Sequence, residues 1–132
     1  MKLYYTLIII LTGLPLALQA QSPLEKSIKR GSDLYEDFCV SCHMSYGQGI
    51  PNVYPPLAKS DFLMQNRKAS IKAIKYGQTG EIVVNNKPYI GYMAPPGLSD
   101  DEIADVMNYI TNTWGNKNTK MITEEEVSLV EK

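Results

Sequence analysis

Apolar and small positions recur along residues 24–38 at alternating spacings of four and three: Leu24, Ile28, Gly31, Tyr35 and Phe38. That period puts them on one face of a helix running from about Pro23 into the cysteine pair that follows. Gly31 in the middle of this face costs about 1 kcal/mol relative to Ala unless its missing side chain admits a second element, so it predicts a close helix crossing. The next stretch, SYGQGIPNVYPPLAKS, has two glycines, three prolines and no period. It predicts an irregular loop with a stiff, extended end at Pro55-Pro56-Leu57.

Short helices are expected over Asp61 to Met64 and from Lys68 to Tyr76, where Ile71 and Ile74 supply an apolar face and Gly77 a stop. Residues 81–84 and 87–92 flank Asn85-Asn86, a pair that tolerates the positive φ of a tight turn, and so predict a hairpin. Pro88 suggests only a minimal ribbon. Ser99 with Glu102 three residues on reads as a capping box, and Asp100 and Asp101 favour the positive end of the helix they open. The buried stripe of that helix is Ile103, Val106, Met107, Ile110 and Trp114, with Gly115 closing it. Thr123-Glu124-Glu125-Glu126 reads as a second capping box before one more turn of helix. Repeats and low-complexity tracts are absent from the sequence.

Composition changes this picture at the N-terminus. The chain has 132 residues, 44% hydrophobic and 20% charged, which suits one compact domain. MKLYYTLIIILTGLPLALQAQS places Lys2 before an apolar run from Leu3 to Leu18 and the small Ala20 after it, a secretory signal pattern. A retained anchor is the competing reading, but Thr12, Gly13 and Pro15 interrupt a run shorter than the roughly 20 residues of a membrane span. The expected organisation is a cleaved signal over 1–20 and a domain over 21–132, exported to the periplasm or the outer face of the cytoplasmic membrane. Loss of residues 1–20 removes Lys2 alone among the charged groups and moves the formal charge from −1 to −2. Neither value suits a nucleic-acid binder. Charge is unevenly spread: Lys59, Arg67, Lys68, Lys72, Lys75 and Lys87 occupy the middle, and acidic residues crowd the last third. The molecule is expected to be dipolar, with the lysines helping to steer an acidic partner.

The chemistry concentrates at Cys39-Val40-Ser41-Cys42-His43. Two thiols three positions apart near a helix end can each add to a vinyl group of one haem, and the next residue, His43, then lies beneath the iron. The same residues admit other readings. Zinc needs about four ligands, and these are the only cysteines and histidine in the chain. A redox dithiol expects its cysteines after a strand and at the start of a helix. A disulfide across two residues closes too small a loop to stabilise much. Haem attachment in an oxidising compartment is the strongest of the four.

With a single histidine, two-histidine ligation is excluded; the second axial position is left to methionine, lysine, another weak ligand or nothing, and methionine is the protein ligand that fits best. Met44 is tied to the proximal side, Met107 and Met121 fit a buried helix face and a tail, and Met64 lies on a short amphipathic segment. Met93, in the Gly- and Pro-rich stretch GYMAPPG fifty residues after His43, is left.

With these residues in place the chain after the signal resembles class I cytochrome c. Gly31 and Tyr35 match that family's small-and-aromatic pair, and Val106 and Tyr109 its partners on the C-terminal helix. The resemblance implies an all-α fold of four to five helices wrapped round one haem c held by two thioethers, with a small hairpin before the distal loop. It implies that the carbonyl of Pro55 orients His43, that His43 and Met93 ligate the iron, and that the protein carries single electrons in a respiratory chain. PPLAKSDFL, YMAPPGLSDDEIADVMNYI, NTWGN and ITEEEV are similar to a bacterial subgroup found both as free carriers and as parts of oxidases, nitrite reductases and dehydrogenases. Ala94 departs from the family pattern, which often has proline directly after the ligand methionine. A peroxidase-like haem enzyme is the rival, but it needs an open iron position and a nearby acid–base group, and the chain has no second histidine.

Overall fold

The computed structural model describes residues 21–132; the expected signal over 1–20 lies outside the described residues. Six helices and one two-stranded antiparallel sheet follow one another in these residues. Helix α1 spans Pro23–Phe38, α2 Val40–His43, α3 Asp61–Gln65 and α4 Arg67–Tyr76. The strands are β1, Gln78–Val84, and β2, Lys87–Met93, and the chain ends with α5, Asp100–Ile110, and α6, Glu124–Ser128. The count exceeds the expected four to five because α2 and α6 are separate turns of four and five residues.

Helix α1 opens where the sequence predicts, with Ser22 as N-cap, Pro23 in the first turn and Glu25 closing the capping box. Its buried residues are Ser27, Gly31 and Tyr35, spaced by four. This line packs against α5, whose residues from Ile103 to Met107 are all buried. A Cβ on Gly31 would fall on the Asp105 carbonyl and beside Tyr109 Cβ, so the crossing expected at Gly31 is present and admits no side chain. Beside it Tyr35, Tyr109 and Trp114 form an aromatic trio with ring centroids 5.0–5.5 Å apart.

Polar groups hold the same crossing. The Ser27 hydroxyl donates to Asp105 at 2.6 Å, and the Arg30 guanidinium binds both Asp105 oxygens from outside. Asn108, fully buried, donates to Ser27 Oγ and to the Ile122 carbonyl, and its own oxygen accepts from the Ile122 N–H. A buried polar network of this kind is stable because every member is satisfied.

Helix α5 stops at Ile110, earlier than the stripe to Trp114 suggests. Thr111, Asn112 and Thr113 turn their side chains back onto the carbonyls of Met107, Asn108 and Tyr109, which offers those acceptors a partner other than the next helical N–H. Trp114 lies beyond the helix at φ 55° yet still reaches Tyr35.

The hairpin is longer than a minimal ribbon, with seven residues per strand and Asn85 and Asn86 at φ 53° and 61° in its turn. Pro88 pairs with Val83 one step from the closing pair Val84–Lys87. At that step an antiparallel ladder makes no hydrogen bond, so the missing proline N–H costs nothing.

The last segment forms a strap over α4. Arg67 binds Glu126 and the carbonyls of Lys120 and Met121, Lys75 binds Asp100 and the Val127 carbonyl, and the Tyr76 hydroxyl donates to the Val130 carbonyl. Ile122, Val127 and Val130 are buried under it. The second capping box is only half formed: Thr123 accepts from the Glu126 N–H, but the Glu126 carboxylate goes to Arg67.

Two predictions test this framework. Gly31→Ala should lower stability by about 1–3 kcal/mol through overpacking against α5, read from denaturant unfolding of the holoprotein. The hydrogen bond to Arg67 holds Glu126 below the ordinary carboxylate range, so its stabilising effect is present above the unfolded value and is lost as pH falls through the depressed folded one. Thermal midpoints of wild type and Glu126→Gln should therefore differ at neutral pH and converge in acid.

Candidate functional site

Helix α1 breaks at Cys39, where the backbone leaves helical geometry and its N–H closes on the Tyr35 carbonyl. Helix α2 then carries Cys42 and His43 and stops at Met44, φ 64°. Both cysteines are unpaired thiols, partly buried. Burial, then the neighbouring Cys42, pushes the Cys39 thiol up to about 11. The cysteines follow a helix rather than a strand, against the arrangement a redox dithiol expects. No cluster of three or more His, Cys, Asp and Glu side chains suited to a metal ion occurs among the described residues.

The loop after α2 folds back to bring Pro55 to the histidine. Gly49 N–H donates to the His43 carbonyl, Ile50 bridges to Tyr54, Leu57 and Ala58 both donate to the Gly47 carbonyl, and the Trp114 ring lies where a side chain on Gly47 would stand. Tyr35 fixes the start of the loop by donating to the Met44 carbonyl at 2.8 Å. Gly49, at φ 63°, has no room for a Cβ, which would meet the carbonyls of Tyr54 and Pro55.

His43 Nδ1 lies 3.0 Å from the Pro55 carbonyl oxygen. A carbonyl can only accept, so Nδ1 carries the hydrogen and the neutral ring keeps its lone pair on Nε2. Burial lowers the His43 pKa below its ordinary value, and the bond to Pro55 opposes that shift only in part. The ring is thereby kept neutral, the form in which Nε2 can bind a metal.

One cavity of about 580 Å³ takes in Cys39, Cys42, His43, Pro55 and Met93 together. Met93 ends β2 opposite Gln78, the first residue of β1, so the hairpin register delivers it to the C-terminal end of α4. Met107 of α5 also lines the cavity and is fully buried, while Met44, Met64 and Met121 do not line it.

The hairpin itself is the wall that sequence reasoning missed. Gln78, Gly80, Ile82 and Val84 on β1 pair with Met93, Gly91, Tyr89 and Lys87 on β2, and all but Lys87 line the cavity. The signal was the alternation: Val83, which falls between, is more than half exposed and does not line the cavity, while Ile90 and Tyr92 lie largely exposed at its rim. The facing glycines Gly80 and Gly91 leave space where side chains would stand. Ser60, Ser70 and Tyr89 are further wall residues that no motif announced.

The volume lies within the ~300–1,000 Å³ of pockets that bury a cofactor-sized ligand. The wall is largely apolar, with one neutral imidazole, one thioether and two thiols, a donor set that suits a haem better than any other group considered. Fold and cavity thus define a small helical haem protein of the electron-transfer class.

Comparison with known proteins agrees. The cytochrome c family model matches residues 28–114. Cytochrome c-552 of Thermus thermophilus is 39% identical over 106 residues, covering 74% of this chain and 80% of that protein. Cytochrome c-554(548) of Halomonas halodenitrificans is 36% identical over 74 residues, 56% of this chain and 82% of its own. The cytochrome c subunit of a quinone alcohol dehydrogenase from Gluconacetobacter polyoxogenes is 33% identical over 103 residues, but only 21% of that longer subunit is covered. The chain belongs to the cytochrome c family. It is an electron-transfer protein with covalently bound haem c, not an enzyme, and it works with redox partners.

The His43–Pro55 bond gives a direct test of the site. Gly49→Ala should displace the Pro55 carbonyl, and exchange of the His43 Nδ1 proton, followed by NMR of the holoprotein, should quicken roughly fivefold to tenfold.

Proposed function

We propose that this chain is a periplasmic one-electron carrier of a respiratory chain. In this reading Cys39 and Cys42 would hold a haem through two thioethers, His43 and Met93 would bind its iron, and Pro55 would orient His43. A bound haem c supplies an iron that gains and loses one electron. The observation that carries the assignment is the single cavity holding both thiols, Met93, and a His43 ring whose Nδ1 is tied to Pro55 with Nε2 left free.

Each residue then has a physical task. Pro55 holds the imidazole plane and tautomer, so the ligand does not reorient as the charge on the iron changes. Met93 offers a soft, neutral donor, which with the apolar wall favours the reduced state and raises the potential. The register of the hairpin and the Pro95-Pro96 stretch beyond it limit the path along which Met93 could retreat. The titratable side chains that line the cavity are His43, Cys39, Cys42, Tyr54, Tyr89 and Tyr92, and in this reading the histidine and both cysteines are taken up in holding the haem.

Phe38, Val53, Ile90 and Tyr92 line the cavity and stand about half or more exposed, an apolar rim suited to a transient partner. Of the six central cations, Arg67 and Lys75 are taken by Glu126 and Asp100. Steering of an acidic partner is therefore left to Lys59, Lys68, Lys72 and Lys87.

Export rests on the expected signal at 1–20, with 21–132 as the mature domain. Among the described residues no helix is long and apolar enough to cross a membrane. The likeness to alcohol dehydrogenase cytochrome subunits supports a second reading, a subunit or domain within an oxidoreductase complex. Co-purification under mild conditions separates the two: a lone haem-bearing monomer favours the carrier.

The ligand assignment is tested on the oxidised holoprotein. Met93→Ala should abolish the methionine-to-iron charge-transfer band and lower the reduction potential, with covalent haem retained; an unchanged band would transfer the ligand role to Met107, the other methionine of the wall. Cys39→Ala should leave a single thioether, seen as a shifted pyridine haemochrome spectrum.

A further inference from the structure

The segment NTWGN ends in a residue that belongs neither to the apolar core nor to the cavity wall. Asn116 is 5% exposed, and its carboxamide is engaged entirely with backbone. Its Nδ2 donates to the Leu57 carbonyl at 2.9 Å and to the Ile110 carbonyl at 2.8 Å, while its Oδ1 accepts from the Lys59 N–H at 2.9 Å. Ile110 is the last residue of α5, so the same side chain satisfies one of the carbonyls that a helix end leaves without a partner. Asn116 thus joins the end of α5 to a loop 57 to 59 residues earlier in the chain.

This pairing needs an amide. A donor and an acceptor on one planar group meet the Leu57 carbonyl and the Lys59 N–H as a neighbouring strand would, and the second Nδ2 hydrogen takes Ile110. Aspartate lacks both donors, and alanine leaves the loop groups without their partner. Lys59 stands at φ 51°, in the left-handed region that a lysine keeps where its surroundings hold it.

What these bonds fix lies two residues upstream of Leu57. The ring of Pro56 locks its φ, and Pro55, preceding a proline, is confined to extended backbone, so residues 55–57 move as one stiff piece. Its downstream end is held on both sides, the Leu57 N–H by the Gly47 carbonyl at 2.7 Å and the Leu57 carbonyl by Asn116. Its upstream end carries the Pro55 carbonyl, 3.0 Å from His43 Nδ1. A shift of Leu57 is therefore passed to the acceptor of the histidine.

We propose that Asn116 is a positioning residue for His43: by pinning Leu57 and Lys59 to the end of α5, it holds the Pro55 carbonyl at bonding distance from the imidazole. It acts through the stiff Pro55-Pro56-Leu57 piece and does not line the cavity. This rests on the reading of His43 as a haem ligand oriented by Pro55. The bond at Nδ1 raises the basicity of Nε2, so a looser acceptor makes the ring a weaker donor and favours the reduced iron.

Two readouts on the holoprotein test this. In Asn116→Ala the reduction potential should rise, moving the equilibrium with a fixed electron donor about threefold toward the reduced protein. Exchange of the His43 Nδ1 proton, followed by NMR, should quicken about tenfold, well beyond the amides of Tyr35 and Val106 in the helix crossing. Pro56→Gly frees the stiff piece, and in that background Asn116→Ala should add little to either change. If Asn116→Ala fails to hold haem, Asn116→Ser, which leaves room for a water, is measured in its place and should move both readouts the same way. A merely structural Asn116 would quicken the ring proton and the core amides by one common factor. That result, an unmoved potential, or full additivity with Pro56→Gly overturns the proposal. A His43 Nδ1 proton that exchanges freely in the wild type would sink the reading of His43 as oriented by Pro55, and this failure is distinguishable because it appears without any substitution.

Discussion

The contact of Gly31 with the Asp105 carbonyl sets the distance between α1 and α5, and the other elements are arranged around that distance. With a side chain at 31 the helices could not come this close, and Tyr35 could not reach both Tyr109 and Trp114. The end of α1 would then point the cysteines elsewhere. The Ser27, Arg30 and Asn108 hydrogen bonds serve the same approach, because they satisfy the buried Asp105 carboxylate and the Ile122 backbone at the crossing.

Helix α4 is held from the opposite side. Arg67, Lys75 and Tyr76 reach outward to the strap, while Ser70, Ala73 and Ile74 line the cavity. The strap lies beyond residue 114, where the family match ends, yet it ties down one wall of the site. Stability of the C-terminal tail and order in the cavity are thereby coupled.

Much of this was readable in the sequence, for physical reasons. The spacing from Leu24 to Phe38 exposed the helix, and Gly31 within it announced the crossing, because glycine in a helical face is costly without a close neighbour. Paired asparagines marked the turn, and the Ser-x-x-Glu pattern marked the start of α5. The five expected site residues, Cys39, Cys42, His43, Pro55 and Met93, share one cavity. The early stop of α5 was hidden because threonine and asparagine back-bonding leaves no trace in a hydrophobic stripe. The length of the hairpin was underestimated because the effect of Pro88 depends on ladder phase, which is known only once the register is. Ser60 and Ser70 were invisible because a serine in a polar segment reads as solvated, and only burial makes it informative.

The hairpin has a geometric consequence of its own. It is a single layer: Gln78, Gly80, Ile82 and Val84 line the cavity, Val83 stands outside it, and the largely exposed Ile90 and Tyr92 border its rim. A second packed layer would add about 10 Å of protein. With none among the described residues, the outer side of the hairpin at Val83 is separated from the cavity by one thickness of backbone, and Gly80 facing Gly91 leaves that layer without side chains. The wall is therefore at its thinnest where the two glycines face each other.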